Sequence, residues 1–235
     1  MRRILVGTLI RNRRWVLPEF FAGLKALDIT DCDVKFYVIV QDKACGIMTP
    51  IGVFENWMSD VWDIPIKGEC LPDPGPNIPI TRPWSHKQYV YLTRLRNLLA
   101  ERASQTGRDL LSVDSDVIPA PDVLQRLIKA DKDIVSALVN NHPVTQAFNA
   151  MWLDGDRFHR DGAGDLHNKG LIQCDLTGAC YLIKHKVLAA GVRYEADKHG
   201  EDAGFCLNVK KAGFECWCDT EARTVHRYAE DKWLT

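Results

Sequence analysis

The sequence contains no CxxC pair, no internal repeat, no low-complexity tract and no excess of charge of one sign. Nor does any apolar stretch approach the roughly eighteen residues of a membrane span. Each absence removes a class of protein. A formal charge of -1 over 235 residues disfavours a nucleic-acid-wrapping protein, which carries a basic surplus. Eight cysteines without metal-ligand spacing, in a chain this long, read as reduced core residues of a cytoplasmic protein rather than as a disulfide or zinc framework. Cys216 and Cys218 bracket one residue and fall on one face if they lie on a strand. Met1-Arg2-Arg3 followed by the apolar run Ile4 to Ile10 imitates a signal peptide. The run is too short, however, and enters Arg11-Asn12-Arg13-Arg14 instead of a small-residue cleavage site.

With 46% hydrophobic and 26% charged residues the chain has the balance of a globular protein, and its length suits one domain, 1–235. Arg3–Leu9 and Val34–Val40 read as strands buried on both faces, with a helix over Trp15–Leu27 between them if Pro18 falls in its first turn. That β-α-β opening favours a parallel sheet and an α/β fold. Residues 44–86, interrupted by Pro72, Pro74, Pro76, Pro79 and Pro83, read as a long irregular loop. Thereafter the pattern predicts a helix over Lys87–Ala103, a strand over Asp109–Val113, a helix opened by Pro119–Asp122 and running through Ala130, and a strand over Asp133–Val139. A loop over 140–170, a strand over Ala179–Lys184 with a short helix after it, and a helix over Glu201–Ala212 closed by Gly213 follow. Glu215–Asp219 and Arg223–Arg227 are the late strands.

Three short patterns stand where chemistry could be done. Asp114-Ser115-Asp116 follows an apolar strand, and open α/β sheets bind ligands at the carboxyl ends of their strands. Two carboxylates flanking one residue suit a hard cation, although capping a turn would explain them too. Gly200-Glu201-Asp202 opens a helix, where acidic side chains serve the helix dipole or, if aimed at a hydroxyl, take its proton. His226 lies late in the chain, within reach of a metal if the segment folds back. Five arginines, Arg2, Arg3, Arg11, Arg13 and Arg14, have no acidic residue among them and form either a solvated edge or a surface for an anion or an acidic membrane. Trp152, His159 and His167 bracket a Gly/Asp-rich stretch that could shape a sugar-accepting pocket or be a surface loop.

The order DSD, then GED at a helix start, then a late His resembles the GT-A glycosyltransferases. Arg94 to Leu99 ahead of DSD is similar to the Arg-Asn helix of some of these enzymes. The run from Arg96 to Val139 is similar to the core of fungal Golgi mannosyltransferases and of bacterial family 2-like transferases, and Asp175–Ala179 to the segment ahead of the acidic helix start. The resemblance implies a Rossmann-like, mostly parallel sheet with helices on both faces. It implies transfer of a sugar from a UDP- or GDP-sugar to a hydroxyl acceptor with Mn2+ or Mg2+. Asp114, Asp116 and His226 would then hold the metal. Thr8, Asp42, Arg96 and Asp114 would contact the donor, Arg96 at its diphosphate. Arg94 would point elsewhere. Asp202 would be the base of an inverting reaction with Glu201 orienting it or the acceptor, retention being the alternative. A loop near 154–170 or the C-terminal tail would close over the donor. Three rival readings are a haloacid-dehalogenase-like phosphatase with Asp114 as nucleophile, a sugar-1-phosphate nucleotidyltransferase, and an inactive sugar-binding module of the same fold.

Overall fold

The structure, a computed structural model, describes residues 1–11, 15–42, 66–72, 86–141, 147–159, 166–229 and 232–234, with the backbone alone at 11, 41, 42, 66–72 and 232–234. An eight-stranded sheet organises them. Its strands in chain order are β1 (Arg2–Arg11), β2 (Cys32–Asp42), β3 (Ile66–Pro72), β4 (Asp109–Val113), β6 (Ile134–Ala137), β9 (Leu171–Cys174), β10 (Cys180–Ile183) and β11 (Cys216–Asp219). In space they run β3-β2-β1-β4-β10-β6-β11-β9. The pairs β3–β2, β2–β1, β1–β4 and β6–β11 are parallel, whereas β10 and β9 pair antiparallel with their neighbours. The sheet is therefore mostly parallel, as expected.

Strand alternation divides the core into two layers. On one face Ile4, Val6, Val38, Leu111, Val113 and Val135 meet α1 (Leu17–Ala26) and α3 (Val123–Ala130). On the other, Leu5, Ile39, Leu110, Ile134, Tyr181 and Ile183 meet α2 (His86–Gln105), α4 (His185–Ala189) and α5 (Glu201–Lys211). Helices thus cover both faces. Pro18 sits in the first turn of α1, where its missing N–H costs nothing, and Gly213 follows α5 with φ +80°. Among the described residues no helix is long and apolar enough to cross a membrane.

A second, three-stranded sheet of order β13-β12-β5 matters more for function. It joins β5 (Val117–Pro119), just beyond the DSD turn, to β12 (Thr224–Ala229) and β13 (Lys232–Leu234). The β5–β12 register sets His226 opposite Val117, and the Arg227 N–H donates to the Asp116 carbonyl at 2.8 Å. This sheet rests on α1 at Gly23, where a Cβ would lie 2.6 Å from Ile118 Cγ2.

Several expectations need correction. Within 44–86 the chain forms β3, an edge strand that the Gly, Lys, Glu and Pro of IKGECLP conceal, and His86 opens α2; residues 44–65 and 73–85 lie outside the described residues. The stretch 140–170 contains a hairpin, β7 (Trp152–Asp154) with β8 (Arg157–His159), and β9 follows it. Pro119 ends β5 instead of opening α3, whose N-cap is Asp122, so Pro121 precedes the cap. The N-terminal arginines are not without acids: Arg2 faces Asp109 (3.8 Å) and Asp131 (3.5 Å), and Arg3 faces Asp33 (4.0 Å). Those acids are distant in sequence, which is why the local charge run misleads. The side chains of Arg11, Arg13 and Arg14 lie outside the described residues. All six cysteines whose side chains are described are free thiols, and Cys216 and Cys218 share one face of β11 in the core, as expected.

Candidate active site

Arg96, on α2, organises the site. Its side chain is only 4% exposed, and its face of α2 packs over the sheet where Ser112 points up from β4. Nη1 donates to Ser112 Oγ (3.2 Å), Nη2 to Asp114 Oδ1 (2.7 Å) and Nε to Glu201 Oε1 (3.4 Å), with Asp202 Oδ1 at 3.8 Å. The guanidinium therefore lies beneath the site, joining the DSD turn to the start of α5. The expected contact with a donor diphosphate stands beside these bonds, all of which are to Ser112 and to carboxylates. Arg94 is exposed, pointing elsewhere as expected. The next residue, Asn97, clamps both backbone groups of Tyr194: its amide donates to the Tyr194 carbonyl (3.0 Å) and accepts from the Tyr194 N–H (2.8 Å).

One guanidinium faces three carboxylates, an imbalance of two charges if all are ionised. Burial raises the Glu201 pKa, and Arg96 opposes that rise without cancelling it. Asp202 is raised to about 7, chiefly by burial, against the lowering pull of Arg96. Of the pair only Asp202 reaches solvent appreciably, its side chain 26% exposed against 8% for Glu201. Glu201 thus holds Arg96, and Asp202, with a pKa of about 7 at a carboxyl that reaches solvent, can lose its own proton near neutrality and then take another. A pKa near the working pH is the condition for a general base.

The backbone opposite Asp202 is shaped to admit it. A Cβ on Gly178 would lie 2.3 Å from Asp202 Oδ2, so a side chain here would displace that carboxyl. Ala179 has φ +66°, the Cys180 N–H donates back to the Gly178 carbonyl (2.8 Å), and the Ala179 carbonyl accepts from the Asp114 N–H (2.7 Å). This strained turn is tied down by the buried Asn149, whose amide donates to the carbonyls of Ala137 (2.9 Å) and Gly178 (3.0 Å) and accepts from the Val139 N–H (2.8 Å).

Asp116 and His226 meet across the β5–β12 junction. His226 Nε2 stands 3.3 Å from Asp116 Oδ2, and Nδ1 lies 2.9 Å from the Asn140 carbonyl oxygen. A carbonyl only accepts, so Nδ1 carries a proton. In the neutral ring the Nε2 lone pair then faces a carboxylate, an arrangement stabilised by a shared proton or a cation. Asp114 is brought near through the DSD turn, but its Oδ1 is committed to Arg96. Among the described residues no three His, Cys, Asp or Glu side chains are grouped as a metal cage.

The remaining expected residues are placed as follows. Thr8 is not at the end of β1, which continues to Arg11. It is 2% exposed opposite Val38, and its hydroxyl has no hydrogen-bond partner among the described residues. Asp42 ends β2 beside Pro72 of β3, and its side chain lies outside the described residues. His167 meets the Phe148 ring edge-on, and Trp152 donates its indole N–H to the Gln173 carbonyl (3.0 Å). His159 closes the β7–β8 hairpin opposite Trp152. Residues 160–165 of the expected closing loop, and the C-terminal tail at 230, 231 and 235, lie outside the described residues. Sequence reasoning missed Ser112, Asn149, Tyr181 and Tyr194, and took Gly178 only as part of the Asp175–Ala179 segment. Only the glycine, between Thr177 and Ala179 just before a strand, carried a local signal of close backbone approach.

No family model and no curated protein matches the chain. Solved structures do. S. aureus TarS 1-349 in complex with UDP-GlcNAc superposes over 95% of this chain at 14% identity and a TM-score of 0.57. The mannosyltransferase PcManGT from Pyrobaculum calidifontis, in complex with GDP-Man and Mn2+, does so over 92% at 14% identity and 0.57. GalNAc-T7 with UDP, GalNAc and Mn2+ covers 96% at 10% identity and 0.62. This chain spans 57%, 54% and 44% of those three, respectively. At such identities the likeness concerns the course of the backbone, and in that respect the conclusion is plain: the chain has the GT-A fold.

Proposed function

We propose that this single GT-A domain is a glycosyltransferase, moving a sugar from a nucleoside-diphosphate donor to a hydroxyl acceptor with inversion at the anomeric carbon. The observation that carries the proposal is Asp202. It is a largely buried carboxyl that still reaches solvent, its pKa raised to about 7, at the start of α5, and it shares Arg96 with the DSD turn at the carboxyl end of β4. In the transfer, the acceptor O–H bond breaks and its proton passes to Asp202. The electron pair left on oxygen forms the new bond to the anomeric carbon. The bond from that carbon to the leaving diphosphate breaks, and its electrons stay on the phosphate oxygen. Arg96 holds the carboxylates in place during this step without touching substrate.

Asp116 and His226 fit a divalent ion. An imidazole nitrogen beside a carboxylate oxygen is a donor pair that Mn2+ accepts, and substrate phosphates and water commonly complete such sites. Asp114 would stand alongside. When bound, the ion would neutralise charge on the leaving diphosphate. The similar structures, which hold UDP-GlcNAc, GDP-Man or UDP, support a UDP- or GDP-sugar donor. The free thiols support a reducing, cytoplasmic setting. Asp114 as a phosphatase nucleophile finds no support: its Oδ1 is held by Arg96, and the DSD turn follows an interior strand of a GT-A sheet.

Thermal unfolding with UDP, GDP, CDP or dTDP, each with Mn2+ and with chelator, tests the reading. One nucleotide is expected to raise the Tm, the rise vanishing with chelator and in Asp116→Ala. No shift with any of them overturns the proposal. With the sugar form of the nucleotide that binds, Asp202→Asn should keep donor binding and lose about 10²- to 10⁴-fold in turnover.

A further inference from the structure

The two oxygens of Asp202 have different surroundings. Oδ1 accepts a hydrogen bond from the Tyr181 hydroxyl at 3.1 Å and lies 3.8 Å from Arg96 Nε. Oδ2 faces the bare Cα of Gly178. The Tyr181 hydroxyl also bonds to that of Tyr194. Each phenol has one proton. Tyr181 gives its proton to the carboxylate, so Tyr194 donates to the Tyr181 oxygen, and the chain of donors runs Tyr194 to Tyr181 to Asp202. Both rings are buried, at 0% and 4% exposure, and burial drives both phenol pKa values upward, which keeps them neutral and donating.

This pair is more than filling. Two phenylalanines would occupy the same volume without burying hydroxyls, and buried hydroxyls persist where their bonds are used. The pair is also held from behind. The Tyr194 ring stacks on Phe205 (centroids 4.2 Å apart, planes at 17°), and its backbone is clamped by Asn97. Tyr181 is fixed in β10 between β4 and β6.

We propose that Tyr181 and Tyr194 are positioning residues for Asp202: their linked hydroxyls hold the carboxylate by Oδ1 and leave Oδ2, over Gly178, as the atom that receives the acceptor's proton. The inference rests on the reading of Asp202 as the base. The charged and titratable groups around Asp202 are Arg96 from α2, Glu201 from its own helix, Tyr181 from β10 and Tyr194 from the segment ahead of α5, with Asp114 and Cys206 farther off. Of these, Tyr181 and Arg96 favour the ionised carboxylate, whereas Glu201 and Asp114 oppose it.

The test is a pH titration of the whole chain carrying 13C at the aspartate carboxyls, without nucleotide or metal, the Asp202 signal being identified by its loss in Asp202→Asn. Tyr181→Phe removes a donor to the charged form, so the Asp202 midpoint should rise by about one pH unit. Tyr194→Phe should raise it less, by weakening the donation of Tyr181. In turnover, the acid limb of the pH profile should move with the midpoint while KM for the donor stays put. A midpoint that stays or falls in Tyr181→Phe, with a native amide spectrum, overturns the proposal. If that variant does not fold, Tyr194→Phe decides alone, a rise supporting the proposal and an unmoved midpoint sinking it. Since the titration uses neither nucleotide nor metal, its failure counts against the tyrosine pair. Failure of the nucleotide panel counts against the glycosyltransferase reading.

Discussion

Arg96 shows how much can hang on one side chain. Replacing it with alanine would leave Asp114, Glu201 and Asp202 facing one another without a cation, partly or wholly out of water. We expect Arg96→Ala to cost about 3–5 kcal/mol in urea unfolding and to abolish turnover. Asp202 behaves in the opposite sense. The unfolded chain releases that proton near 3.8, whereas the folded protein keeps it to about 7. Over that window the folded state binds more protons, so the group's contribution to stability is complete at low pH and declines as pH rises. Asp202→Asn should therefore match the parent in Tm near about pH 4 and exceed it by a few degrees at about pH 8. Scanning calorimetry at the two pH values checks this. An Asn variant less stable than the parent at the higher pH would show that the carboxylate is not strained by burial. The candidate base and the DSD acids were legible as letters, because each is a common pattern alone but their order, with a late His, is distinctive. That Asp202 becomes a proton-holding group was not legible, because it depends on burial among elements distant in the chain and on the neighbouring charges of Glu201 and Asp114, against the pull of Arg96.

Among elements, the junction of α1, β5 and β12 has the largest consequence for its size. The β5–β12 register alone brings Asp116 and His226 together, and α1 presses on that junction through Gly23. Gly23→Ala would insert a Cβ 2.6 Å from Ile118. We expect it to cost about 1–3 kcal/mol in urea unfolding. It should also weaken the Mn2+-dependent Tm rise with the nucleotide that binds, although Gly23 touches neither residue of the pair. The strands β1, β2, β4 and β10 and the helices α1, α2 and α5 were readable because buried strands and amphipathic helices repeat their apolar residues. The strand β5 and the hairpin β7–β8 were not, since three residues are too few for a period, and the edge strand β3 carries Gly and Pro. Such strands are defined by a partner's backbone, and the partner lies elsewhere in the chain.

Across the whole molecule, the two-layer core accounts for the cysteines. Cys174, Cys180, Cys206, Cys216 and Cys218 are buried, and burial pushes the thiols of Cys180 and Cys218 up to about 12. Among the described cysteines only Cys32 is partly exposed. Mass-resolved alkylation of the native protein should label Cys32 and spare the other five until the chain unfolds. Labelling of Cys206 or Cys218 under native conditions would reveal a core that opens locally.

Composition and periodicity were enough to favour an α/β chain with parallel strands, and the order of three acidic and imidazole motifs was enough to suggest GT-A, with the mostly parallel sheet that this resemblance implies. These are properties of neighbouring residues, which local sequence records. Tertiary structure alone decided that Arg96 is buried among Asp114, Glu201 and Asp202, that Asp116 meets His226, and that Asp202 accepts from Tyr181 beside a glycine. Each of those depends on the register of strands and the packing of helices far apart in sequence, because an electrostatic field and a hydrogen-bond chain are set by distance in space.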